Sequence, residues 1–251
     1  MVKRGSADVG FLLFGGRDIK GFMTTVNFTR EAMLEEITGL GEPDERHAKV
    51  GLNKARLSQS GFFDDVAGGS NDALVGLAET VACVGFAGNV LPASGVARDF
   101  SGIDGAIQAT YDRNPAKGEL HKASAEMTMD GAVEEGKILH PLGAETSDPG
   151  DTESNSHDNT VSSADGGAGY LQVSALVLGG YTSVQITIRD SGDDISFADH
   201  ADGAFAVVTI SPTAQRIALT GTIRRYTAID WDFIGAGSGQ SITFMVGIIR
   251  A

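Results

Sequence analysis

The densest set of potentially reactive side chains is a run of aspartates, Asp190, Asp193, Asp194, Asp199 and Asp202, within DSGDDISFADHADG. Carboxylates on adjacent turns can hold calcium through oxygen ligands, yet this spacing misses the EF-hand template, notably its terminal Glu. The run reads instead as a solvated acidic hairpin edge that discourages stray strand pairing. The same reading applies to Asp148, Asp151 and Glu153. The five histidines, His47, His121, His140, His157 and His200, are scattered and form no HExxH or other close ligand pair, so they are expected on the surface or in loops. Cys83 is the only cysteine. That excludes an internal disulfide and a multi-cysteine metal cluster. Its apolar setting, TVACVGFA, reads as a buried small hydrophobe rather than a reactive thiol.

Neither a GxSxG elbow, a P-loop nor a strand-linked GxGxxG is present. The GAGSG run from Gly235 to Gly239 precedes a strand, where a phosphate cradle needs a helix, and is read as a turn. Arg224 and Arg225 beside Tyr226, in a strand followed by Asp230 and Asp232, suggest cross-strand or intersubunit ion pairs rather than a nucleic-acid patch. Trp231, with Tyr226 and Tyr170, could form a sugar-stacking platform, but it shares a period-two face with Ile229 and Phe233, which favours the core. No residue is therefore assigned a catalytic, cofactor-binding or metal-binding role, and the expectation is a protein that is not an enzyme. An enzyme would have to use the Asp190–Asp202 cluster with a metal or as paired acids.

The totals agree with a structural part. The chain has 251 residues, enough for one large domain or two modest ones, and two are expected. Thirty-four glycines without a collagen-like period, with 41% hydrophobic residues, indicate short strands joined by many turns. Nineteen Lys and Arg against 33 Asp and Glu leave a formal net charge of −14, which opposes binding to nucleic-acid phosphates. The apolar run near the N-terminus, in MVKRGSADVGFLLFGGRD, is too short for a signal peptide or a membrane span, so synthesis and folding in a cytoplasm are expected.

The elements follow from periodicity. Phe22, Thr24, Val26 and Phe28 alternate with Met23, Thr25 and Asn27 as in a half-buried strand, and a second strand is expected from Lys49 to Phe63. Charges, glycines and Pro43 between them predict a long protruding hairpin loop over residues 30–47. Ser70 or Asn71 is expected to cap a short helix through DALVGLAE, with Asp72 near its positive end and TVACVGFA following as a buried strand. Ala106–Tyr111 and His121–Met129 should pair across the turn at Asn114 and Pro115. Residues 145–167, ETSDPGDTESNSHDNTVSSADGG, hold one large aliphatic, Val161, and read as an acidic linker or long loop. Beyond it, Leu171, Val173, Ala175 and Val177; Val184, Ile186 and Ile188; Ile217 and Leu219; Ile229, Trp231 and Phe233; and Ile242, Phe244, Val246 and Ile248 each recur every second residue. Turns at Gly179-Gly180, Ser191-Gly192, Ser211-Pro212 and Gly235–Gly239 separate them, as in a small antiparallel sandwich.

Gly51–Asp65, GLNKARLSQSGFFDD, followed by a short helix and an apolar strand, resembles the tail tube (major tail) proteins of long-tailed bacteriophages. GGAGYLQVSALVLGG, AQRIALTGTIRRYTAIDWDF and SITFMVGIIR are similar to the C-terminal stretches of many phage tail proteins. The resemblance implies a mainly β, tail-tube-like β-sandwich or barrel with one short flanking helix over residues 1–145, an acidic linker or loop over 146–166, and a C-terminal antiparallel β-sandwich accessory domain over 167–251. It further implies homo-oligomeric rings, commonly hexameric, stacked into a tube in the virion tail with other tail proteins. Genomic DNA would pass through the lumen without specific binding, no membrane or cofactor would be involved, and the loop over 30–47 would be the ring-stacking arm. Exposed strand edges and a long loop are liabilities in a monomer but become interfaces in a ring. A capsid decoration or head-fibre protein, or a carbohydrate-binding sandwich on the virion, are the alternatives.

Overall fold

The structure, a computed structural model, describes residues 10–36, 47–66, 69–76, 79–85, 99–129 and 133–251. In chain order the strands are β1 (Phe11–Phe14), β2 (Arg17–Asp18), β3 (Met23–Glu36) and β4 (His47–Phe62), then helix α1 (Ser70–Leu74), followed by β5 (Glu79–Gly85), β6 (Asp99–Asn114), β7 (Lys122–Met129) and β8 (Val133–Glu145). They continue as β9 (Gly150–Asp151), β10 (His157–Asp158), β11 (Gly167–Val177), β12 (Ser183–Ser191), β13 (Ala198–Ala204), β14 (Thr213–Leu219), β15 (Tyr226–Ile234) and β16 (Ser241–Arg250). The fold is mainly β, with antiparallel sheets in a sandwich-like arrangement and one α-helix among the described residues.

The chain divides into two compact units. The first holds the described parts of Met1–Gly21, Thr80–Ile103 and Glu134–Ala251, and the second those of Phe22–Glu79 and Asp104–Val133. The expected boundary near 145 does not separate them, because 134–145 and 167–251 share the first unit. The reason is pairing: β8 lies beside β16, with Ile242 opposite Glu145 and Ile248 opposite Lys137.

In the first unit one sheet runs β14-β11-β16-β8-β6-β5-β1-β2 and the other β10-β15-β12-β13, with β9 also on β15. Inward residues of both sheets, among them Leu171, Val173, Phe244 and Val246 facing Val184, Ile186, Ile188, Ile229 and Trp231, form one core. A second cluster, with Phe11, Leu13, Cys83, Phe100, Tyr170 and Met245, covers the opposite face of the larger sheet. Burial on both faces explains why SITFMVGIIR is a near-continuous apolar run instead of an alternating one. The alternation expected for β11 fails after Val173, where a register shift against β16 flips the face. Ala175 is therefore exposed, Val177 remains 53% exposed, and Leu176 packs on the core instead.

Residues 146–166 are not a structureless linker. Gly150 and Asp151 pair with β15 opposite Trp231 and Asp230, a single 3-10 turn spans Glu153–Asn155, and His157 and Asp158 pair with Thr227 and Tyr226. Little apolar surface is buried there, but polar side chains supply the anchors. Thr152 exchanges hydrogen bonds with Ile229 through its amide (2.9 Å) and its Oγ1 (3.0 Å), and Asp148 Oδ1 accepts the Phe233 amide at 3.0 Å.

The second unit orders its strands β3-β4-β7-β6. β6 and β7 pair as expected, and Ala123, Ala125 and Met127 are buried with Leu57 while Lys122 and Thr128 stay exposed. Helix α1 is shorter than DALVGLAE predicts, with Gly69 at its N-cap and no side-chain cap bond. Ser70 Oγ is engaged elsewhere, donating to the Phe62 carbonyl and accepting the Asp64 amide, both at 3.1 Å. The Asp64 turn thus competes for the hydroxyl that would have capped the helix.

Candidate assembly surfaces

The aspartates of the Asp190–Asp202 run each have a partner of their own. Asp190 is 4% exposed; its Oδ2 accepts the Arg224 amide at 3.0 Å, and Arg224 Nε lies 3.6 Å from its Oδ1. Asp193 closes its own turn, accepting the Ser196 amide (2.8 Å), the Ser191 hydroxyl (2.8 Å) and the Ile195 amide (3.0 Å). The Ser196 amide, followed by the Ser191 hydroxyl, holds this carboxyl down at about 2. Asp194 accepts the Ser156 hydroxyl, Asp199 pairs with Arg189 Nε at 3.1 Å, and Asp202 accepts the amide and hydroxyl of Thr220. Their oxygens point to different neighbours, so the run is a set of local turn and ion-pair locks rather than a converging ligand shell.

Arg224 and Arg225 both pair with acids of other segments, Asp190 and Asp158. Arg225 forks onto Asp158, with Nε–Oδ1 at 2.8 Å and Nη2–Oδ2 at 2.7 Å, and this holds the Asp158 carboxyl at about 2. Asp230 instead lies 4.0 Å from Arg189, which also pairs with Glu153 and Asp199. Burial, with the nearby Asp199 and Glu153 charges, raises the Asp230 carboxyl despite that arginine. Arg189 was not legible as a hub, since its three acids come from separate segments.

Two histidines are buried rather than on the surface, His140 at 3% and His200 at 7% exposure. The His140 ring stacks on Phe244 with centroids 4.2 Å apart and meets Trp231 edge-on at 5.5 Å. Its Nδ1 lies 3.3 Å from the Phe244 carbonyl and its Nε2 3.0 Å from Glu145 Oε1, so both ring nitrogens face acceptors. Trp231 is 3% exposed, with Nε1 donating to the Ser147 carbonyl at 3.2 Å, and Tyr170 is fully buried. Neither presents a ring for a sugar. Cys83 is fully buried, and desolvation pushes its thiol far above the usual range. His121 is exposed and His157 partly so, while the side chain of His47 lies outside the described residues.

The geometry suited to binding another chain lies in the second unit. β3 and β4 pair from Met23 opposite Gly61 out to Glu36 opposite His47, so residues 30–36 and 47 of the predicted loop over 30–47 are strand, and 37–46 lie outside the described residues. Charges do not interrupt this pairing, because the ladder is held by backbone hydrogen bonds that charged side chains leave intact. β7 supports β4 only from Arg56 to Phe62. Among the described residues, β4 has β3 as its sole strand partner between His47 and Ala55, and no strand pairs with the other edge of β3.

No protein-family model and no curated protein matches the chain. Among solved structures, a chain from the tail of an empty GTA particle, refined helically with C6 symmetry, is 14% identical; the match covers 52% of this chain and 97% of that one, with a TM-score of 0.37. A chain from the virion of a native gene transfer agent particle is 11% identical over the same shares, with a TM-score of 0.39. The SPP1 Dit protein, a paradigm of the hub adsorption apparatus in phages that infect Gram-positive hosts, is 10% identical, with 95% and 98% of the two chains covered and a TM-score of 0.34. Likenesses this distant assign no function, which has to come from the chain's own residues.

Proposed function

We propose that this chain is a structural subunit of a phage-type virion tail that works by assembling with copies of itself, and that no residue performs covalent chemistry. The observation carrying this reading is the two-stranded extension of β3 and β4 beyond the third strand. An isolated two-stranded ribbon is marginal in water, and a long open edge invites pairing with another chain. A ring of identical subunits answers both, since each copy can cover its neighbour's ribbon and the closed symmetry leaves no free end. The resemblance of Gly51–Asp65 to tail tube proteins supports rings, taken as hexameric, stacked into a hollow tube with other tail proteins at its ends. Assembly then takes place in the host cytoplasm and the product resides in the virion tail. The net charge of −14 suits a conduit for DNA, because carboxylates repel phosphates where a basic lining would bind them through counterion release.

Sedimentation velocity tests this with the full chain and with a variant in which an Asn-Gly turn joins Thr29 to Arg56. The 26.0 kDa chain should sediment as a large oligomer. The shortened variant, which keeps every residue of β4 that β7 supports, should fold and stay monomeric. Equal assembly by both would remove the ribbon as the assembly device; discrete trimers of the full chain would favour a capsid decoration protein.

A further inference from the structure

The first unit has a depression of about 410 Å³ between the start of β8, the end of β16 and the turn after β10. Its acidic walls have partners of their own. Asp99 is bonded by Lys137, Asp158 is held by the Arg225 fork, and Glu135 accepts the Ser101 hydroxyl at 2.9 Å. Arg250, part-buried at the edge of the larger sheet, has no carboxylate partner among the described residues. Its Nη1 reaches the Asn159 carbonyl at 3.4 Å, and its Nε is buried without an acceptor. Desolvation lowers the Arg250 guanidinium below its ordinary value, with no opposing acid to offset it. In a chain with 33 acids and 19 bases, an unpaired arginine lining a cavity is unusual, and an unmatched buried donor is costly.

We propose that this depression is a binding site for a carboxylate, received by the Arg250 guanidinium. A guanidinium offers parallel N–H donors that match the two oxygens of a carboxylate. The neighbouring Asp99, Glu135 and Asp158 disfavour a phosphate dianion more than a singly charged carboxylate. The volume accommodates a whole acidic side chain, so the carboxylate can come from a small free acid or from an Asp or Glu of a second copy. The second source rests on the self-assembly proposed above.

Thermal unfolding of the full chain in sodium acetate, against sodium chloride at equal ionic strength, tests the site. Acetate at about ten times its dissociation constant should raise the midpoint by about 2–4 °C in the unaltered protein and by much less in Arg250→Gln. Arg250→Lys, which keeps the charge but loses the fork, should respond weakly and serves if Arg250→Gln does not fold. The sedimentation assay separates the sources. A docked carboxylate requires acetate and Arg250→Gln each to lower assembly at least tenfold, whereas a free acid leaves assembly unchanged. An equal acetate response in all three proteins, with assembly unaltered, overturns the site. A full chain that never assembles but shows the Arg250-dependent response overturns the assembly reading and keeps the site.

Discussion

At the scale of single residues, the polar side chains work mainly by holding turns and strand ends. Asp158 shows how. Its carboxyl sits at about 2 because the Arg225 fork and the Thr160 amide favour the charged form. A folded value below the unfolded value of about 3.9 means the contribution is present above pH 4 and is lost as the pH falls toward 2. Urea midpoints measured from pH 5 down to pH 2.5 should therefore fall less steeply for Asp158→Asn than for the unaltered chain. Trp231 belongs to the same scale but to the core. Its replacement by Ala should cost about 3–5 kcal/mol in chemical denaturation, as a large buried ring does. Its burial was legible from its alternation with Ile229 and Phe233. The burial of His140 was not, because its stacking on Phe244 depends on a cross-strand neighbour far away in sequence.

At the scale of elements, strands with one buried face were readable and those with unusual environments were not. Period two located β12, β15 and β16, since alternate positions there meet the same core. It misread the end of β11, where one bulge inverts the faces, and it missed β9 and β10, which are held by polar anchors to β15. It also cut β3 and β4 short, because the charged residues there break the hydrophobic alternation without breaking the backbone pairing. Glycine matters most at the β1–β2 turn. Gly16 has a φ of +83°, and an added Cβ would lie 2.4 Å from the Val173 carbonyl oxygen and 2.7 Å from the Thr213 backbone. Gly16→Ala should therefore lower stability by about 1–3 kcal/mol, seen as a reduced denaturant midpoint, since neither the strain nor the backbone contact can relax by moving a flexible side chain.

At the scale of the whole molecule, charge and edges pull in opposite directions. The open β3 edge and the unsupported ribbon favour association, while a net charge of −14 makes like copies repel until salt screens them. Assembly should accordingly rise with moderate salt, unlike an association built on surface ion pairs. Negative-stain electron microscopy of the concentrated protein, with salt raised from about 20 to about 200 mM to shorten the screening length, tests self-assembly most directly. Rings or stacked hollow tubes that multiply with salt are the predicted result. A field of separate monomers at every salt concentration would contradict it.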